Sequence, residues 1–375
     1  MSQGLLFGRL ARGEVGVKQQ PVKNKEWTDE EYQDHILVGV SRTFALTIPQ
    51  LPNGLRQTVG NAYLLCRIAD TIEDDTNLTA SEKAAYSEEF IGVVRGTQSA
   101  DEFSARLSPA LGQVTSDAER DLALNTPRVI RVTHSFTRTQ RDILERCVTV
   151  MARGMSEFQA KKRSGGLAAL SDLDSYCYYV AGVVGEMLTD LFCDYSAAIA
   201  RNRSQMMALA VSFGQGLQMT NILKDVWDDK GRGACWLPQT EFERYGVDLN
   251  NLSHAHNEEG FGQALGGLIA VARGHLHDAL DYTLLIPSNE TGIRRFCLWA
   301  LGMAVLTLRS INNNRGYSSG QEIKISRRAV KATVVVTSFS ARYDRLLRML
   351  FTLTTRGLPN RDKNLPSRLG NCVSS

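Results

Sequence analysis

The chain lacks most of the features that would assign it to a simple class. Its longest apolar run, FCLWALGMAVLTL at 296–308, is too short to span a bilayer and long enough for a buried helix. The first twenty residues, MSQGLLFGRLARGEVGVKQQ, hold no apolar core of the kind a secretory leader needs, and no C-terminal membrane anchor is expected. Seven cysteines are scattered over 375 residues without a single C-x-x-C pair, which argues against a disulfide framework or a zinc site and for reduced, buried thiols in a cytosolic protein. A formal net charge of +3, with no long run of one sign, excludes nucleic acid as a partner. No fixed-period repeat occurs, and no glycine-rich nucleotide fingerprint follows any strand-like segment.

What is present is an ordinary globular balance, 43% hydrophobic and 22% charged, arranged with a period near 3.6 from Trp27 onward. Only AVKATVVVTS (329–338) invites a strand. Breaks fall at LPNG (51–54), SGG (164–166), DDKGRGACWLPQ (228–239), IPSNETG (286–292) and NNNRGYSSG (312–320). The expectation is a flexible arm over 1–26, one all-α domain of ten or more helices over 27–356, and a disordered tail over 357–375.

The informative stretch is RIADTIEDD, 67–75. On a helix, Tyr63, Arg67, Asp70 and Asp74 fall within about 60° of one another, with Glu73 at the edge, and apolar residues cover most of the remaining girth. That is a surface helix inverted. It is built for burial, with one polar stripe facing something polar inside. The pattern returns about 155 residues later in GQGLQMTNILKDVWDD, where Gln218, Asn221, Asp225 and Asp229 share an arc of about 80° flanked by Asp228. Stacked acids repel unless a cation lies among them, and Mg²⁺ suits such oxygen ligands and completes its shell with water and phosphate oxygens. Two such faces around a cavity fit a metal-clamped diphosphate. His275 and His277 point about 200° apart on a helix, so they cannot share an ion and are read as structural.

DTIEDD and NILKDVWDD resemble the paired aspartate-rich motifs of the squalene/phytoene synthase family. SRTFALTI (41–48), MARGMSEF (151–158), YCYYVAGVVG (176–185) and GRGACWLPQ (231–239) resemble further blocks of that family in order, over about 35–330. Within it, YCYYVAGVVG and NNNRGYSSGQEIKIS (312–326) look most like squalene synthases. The resemblance implies an all-α isoprenoid synthase fold around a central cavity. It implies condensation of two farnesyl diphosphates to presqualene diphosphate, then reduction by NADPH to squalene.

Carried over by residue, it makes Asp70, Asp74, Asp225 and Asp229 the Mg²⁺ ligands, with Glu73 and Asp228 as water-mediated ones. Ser41 and Arg42 match a diphosphate-contacting pair, joined by Arg67 and, more weakly, Lys224, Arg232, Gln218 and Asn221. Tyr63 and Tyr176 match tyrosines near the reacting carbons, and Phe296 stands where the family has a cation-facing aromatic. Asn313, Asn314, Lys324 and Arg327 are the NADPH candidates. The loop is one residue longer than expected and has Ser326 in place of an arginine, which leaves NADH open. Gly182 and Gly185 imply tight packing or a kink, and Met151, Met155, Met187, Leu188 and Leu191 core, with some lining the channel. The competing products are dehydrosqualene, phytoene and presqualene diphosphate, and a catalytically silent scaffold is the remote alternative. Peripheral contact with a bilayer is expected through the apolar face of LLRMLFTLT, 346–354, on an otherwise cytoplasmic protein.

Overall fold

The computed structural model describes residues 27–41, 43–161, 165–252 and 258–360. The expected arm, and all but the first four residues of the expected tail, lie outside them. The described residues form seventeen α-helices, one 3-10 turn and one π turn, with no strand; an isolated bridge joins Leu167 to Pro238. The all-α expectation holds.

Local sequence explains many of the helix starts. Thr28, Thr79 and Ser116 each open a helix with a capping box completed by Glu31, Glu82 and Glu119. The strand-like 329–338 stretch lies instead inside a helix, Arg327–Ser340, capped by the Ser326 hydroxyl. Its β-branched threonines are accommodated because Thr333 and Thr337 donate back to the carbonyls of Ala329 and Thr333.

Arg203–Lys230 packs against Glu258–Leu285 in the most extensive helix pairing of the molecule. On its other flank lies the π turn Tyr178–Gly182 and the helix it leads into, Val183–Tyr195. Here backbone meets backbone. A Cβ at Gly185 would lie 2.0 Å from the Ala210 carbonyl oxygen, and one at Gly214 would lie 2.1 Å from that of Ala181. Only glycine permits that approach. The close packing expected at YCYYVAGVVG is present, and a π turn interrupts the helix there.

Thr291–Asn313 is long and apolar enough to cross a membrane by composition, yet 67% of its apolar window is buried inside the molecule. It is a core helix. Together with Asn53–Asp74, Val183–Tyr195, Arg203–Lys230 and the short helix Phe44–Thr47, it surrounds a partly open cavity. The wall is almost wholly apolar and includes Phe44, Tyr63, Met187, Phe213, Leu217 and Phe296.

Candidate active site

The inverted helix is as the pattern predicts. Asn53–Asp74 is buried nearly throughout, with Arg67, Asp70 and Glu73 all under a tenth exposed. Tyr63 and Cys66 stand on the cavity wall, and Asp70 follows Tyr63 by two turns, about 10 Å along the axis. Ligand oxygens of Asp70, Glu73 and Asp74 lie within 4.8 Å of one another, close enough for one ion to bind all three. Arg203–Lys230 repeats the plan: Gly214 and Leu217 stand on the wall, Asn221 and Asp225 follow on the same helical row, and Asp229 comes one turn later. Asp225 and Asp229 are buried, whereas Asp228 is exposed.

Both acidic triples occupy the last turn or two of their helices, where the macrodipole is already negative and carboxylates are least welcome. Burial pushes Asp70 and Asp74 well above the usual carboxylate range. Arg67 pulls Asp70 back, while Asp70 and Glu73 push Asp74 further. Asp225 is raised by burial against the pull of Lys224, and burial with the charge of Asp225 lifts Asp229 to about 7. A site with these properties draws positive charge.

Part of that charge comes from the chain. Arg67 donates to Asp70 at 2.6 Å and, from its other terminal nitrogen, to Glu119. Lys224 Nζ lies 3.1 Å from Asp225, and Arg232 lies 2.6 Å from Asp229. Lys83 donates to the Glu73 carbonyl at the helix end. These cations leave atoms over. Asp70 Oδ1, Asp74 Oδ1, Gln218 Oε1, Asn221 Nδ2 and Arg67 Nε are buried without a hydrogen-bond partner among the described residues. Orphaned polar atoms on both stripes are what a site for a metal ion and a phosphate leaves behind, so the residues fit a Mg²⁺–diphosphate group.

The other predicted residues fall into three groups. Tyr63 and Phe296 are on the cavity wall. Tyr63 stacks near Phe44 at 5.4 Å and donates its hydroxyl to the Val40 carbonyl, and its phenol is pushed up to about 12 by burial. Ser41 is buried, and its hydroxyl accepts from the Phe44 N–H. Arg42 lies outside the described residues. Tyr176 stands apart from the residues that form the wall, stacked 4.0 Å from Trp236. Asn313, Asn314, Lys324 and Arg327 are exposed. The loop between them is nonetheless tied to the second acidic helix: Trp227 Nε1 donates to the Tyr317 carbonyl at 2.6 Å, the Tyr317 hydroxyl donates to the Leu223 carbonyl, and Gly320 sits against Asp225 and Asp228.

Sequence reasoning missed Phe44 and Phe213 on the wall, Gly214 at the backbone crossing, and Glu119 behind Arg67. A glycine inside an apolar helix, as in SFGQGLQ, was a usable signal for Gly214. The S-x-x-E at 116–119 signals a cap and gives no hint of a partner 52 residues earlier.

A family pattern described as squalene/phytoene synthase matches residues 37–329. Squalene synthase ERG9 of Candida albicans is 31% identical over 288 residues, covering 73% of this chain and 60% of its own. The chain spans about 60% of the length of this relative and of the squalene synthase of Eremothecium gossypii. A solved complex of TcSQS with the ligand BPH1237 superposes with a TM-score of 0.70 at 24% identity, covering 87% of this chain and 91% of that one. A dehydrosqualene synthase in complex with ligand gives 0.59 at 22% identity, with 84% and 97% covered. The two structures share the fold, and the family pattern covers well over half of the sequence: the chain belongs to the squalene/phytoene synthase family.

Proposed function

We propose that the chain is a squalene synthase, a prenyltransferase that joins two farnesyl diphosphates head to head into presqualene diphosphate and reduces that intermediate to squalene with NADPH. One observation carries the reading: two helices that wall the same apolar cavity each end, within about two to three turns, in an acidic triple beside buried polar atoms left unsatisfied.

Mg²⁺ held by Asp70, Glu73 and Asp74, and by Asp225, Asp228 and Asp229, would neutralise the charge that develops on a departing diphosphate. The chain's own residues do the rest. Arg67, Lys224 and Arg232, each already beside an aspartate, donate to phosphate oxygens, with Ser41, Arg42, Gln218 and Asn221 as further contacts. The cavity holds the prenyl tails and keeps water from an allylic cation, whose charge the rings of Phe44, Tyr63 and Phe296 stabilise. Tyr63, whose hydroxyl donates to the Val40 carbonyl, would turn that hydroxyl to the substrate, and Tyr176 shares proton handling by resemblance alone.

Asn313, Asn314, Lys324 and Arg327 would hold NADPH, the cationic Lys324 and Arg327 suiting nucleotide phosphates, on a loop anchored to the second acidic helix by Trp227 and Tyr317. A water-insoluble product also calls for peripheral contact with a bilayer. The second reading is a non-reductive enzyme that releases dehydrosqualene, phytoene or presqualene diphosphate, which the fold shared with a dehydrosqualene synthase keeps in play.

The test is incubation with farnesyl diphosphate and Mg²⁺, with and without NADPH, and products read by mass. Squalene only when NADPH is present supports the full reaction. Dehydrosqualene or presqualene diphosphate regardless of NADPH keeps the metal site and removes the reductive step. No diphosphate release at all overturns both.

A further inference from the structure

Seven of the thirteen large apolar side chains that stand exposed among the described residues fall between Val335 and Leu353. On Arg327–Ser340, Val335, Val336 and Phe339 point outward, Phe339 with 81% of its surface exposed. On the next helix, Asp344–Thr354, Leu347 and Phe351 face inward, while Leu346, Met349 and Leu353 lie on an adjoining arc and stay exposed. That helix carries an apolar arc of about 200°, twice the width a surface helix needs to pack on one neighbour. Tyr343 stands at the corner between the two helices, 62% exposed.

The corner is firmly held. Fully buried Arg294 donates to the carbonyls of Ile286 and Ala341 and pairs with Asp344 at 2.6 Å. The exposed apolar groups are therefore presented by a fixed scaffold.

The charge on these two helices is almost all of one sign, with Arg348 paired to Asp281 of a neighbouring helix. Residues 327–356 hold seven Lys and Arg against a single Asp, the one engaged by Arg294, although the whole chain is only +3, so the remainder is net negative. Arg328, Lys331, Arg342, Arg345 and Arg356 are exposed. Apolar side chains that project from a fixed corner within a cationic rim match an anionic lipid surface, with acyl chains for the first and phosphate headgroups for the second. A second copy of this chain would bring the same positive charge against itself.

We propose that the corner formed by Arg327–Ser340 and Asp344–Thr354 is a docking face for anionic phospholipid membranes. It extends the apolar face expected at 346–354 to the preceding helix and adds the cationic rim as the selective element. Arg327–Ser340 also packs on Thr291–Asn313, which lends Phe296 and Ala300 to the cavity wall, so the docked membrane lies one helix away from the apolar cavity.

The test is co-flotation of the full chain with vesicles of phosphatidylcholine alone and of phosphatidylcholine with phosphatidylserine. Binding is expected only to the anionic vesicles and weakens as salt rises. The exposed pair F339S/M349S is expected to lose about ten-fold in vesicle affinity with its melting temperature unchanged. R342Q/R345Q loses about five-fold per arginine and flattens the salt dependence. Sedimentation velocity on the same proteins examines the dimer. Protein left unbound by anionic vesicles, unchanged binding by F339S/M349S, or a wild-type dimer that this variant splits would each overturn the proposal. None of these readouts depends on the assigned reaction, so they stand or fall apart from it.

Discussion

Gly214→Ala separates tertiary packing from helix propensity, because the two predict opposite signs. In a helix interior, alanine is favoured over glycine by about 1 kcal/mol. At Gly214 the added methyl would meet the Ala181 carbonyl oxygen at 2.1 Å, its carbon at 2.4 Å and the Gly182 nitrogen at 2.8 Å. These are backbone atoms, with no side chain to swing aside. The π turn and the Arg203–Lys230 helix must separate by about 1 Å along a face where Gly185 is equally tight, and overpacking of this kind costs about 1–3 kcal/mol or more. The control lies in the partner helix: Gly267 has nothing within 4 Å of its Cβ position, so Gly267→Ala gains the propensity and loses nothing. Urea unfolding of the two variants is expected to place Gly267→Ala above wild type by up to about 1 kcal/mol and Gly214→Ala below it by about 2 kcal/mol. Because Gly214 also stands on the cavity wall, its alanine variant is expected to lose prenyl substrate affinity. Equal stabilities for the two variants would refute the backbone-contact argument.

Asp70→Asn is expected to lower turnover at least about 10²-fold and raise the Mg²⁺ concentration needed for half-activity; full activity would remove the metal role. Glu119→Gln keeps a competent helix cap but takes one negative partner from Arg67, so kcat/KM for the diphosphate substrate is expected to fall about ten-fold while the melting temperature moves little. Asp229 ionises near 3.8 when unfolded but near 7 in the fold. Stability is therefore greatest below about pH 4 for this group and is lost as pH rises through 7. Magnesium-free protein is expected to melt lower at pH 7.5 than at pH 5, with Mg²⁺ plus pyrophosphate recovering the loss, and a flat pH profile would remove the premise. Trp227→Phe breaks the tether to the Tyr317 carbonyl and is expected to slow reduction selectively, read as presqualene diphosphate accumulating.

The acidic helices were legible because their polarity is inverted: a segment apolar around most of its girth must be buried, and its charged residues then need a ligand. The breaks between helices were legible from glycine, proline and asparagine. The 329–338 stretch misled because its β-branched run scores for a strand, whereas its Thr hydroxyls bond back four residues and its exposed valines meet no second strand. Glu119 was invisible for a different reason. It reaches Arg67 across the packing of two helices far apart in the chain, and no periodicity encodes that distance. The tether of the 314–326 loop to Trp227 runs through a backbone carbonyl, which carries no residue identity at all.

The close crossing at Gly185 and Gly214 leaves part of the cavity wall made of main chain alone. Such a wall is already at its thinnest. No side chain there remains to be trimmed, so the cavity cannot be enlarged from this side by truncation. Any lineage that came to accept a longer molecule had to gain the room from the opposite, aromatic side, where Phe44 and Phe296 have volume to give up. Evolutionary change in the size of this chamber is thus one-sided, set by where the backbone rather than a side chain meets the contents.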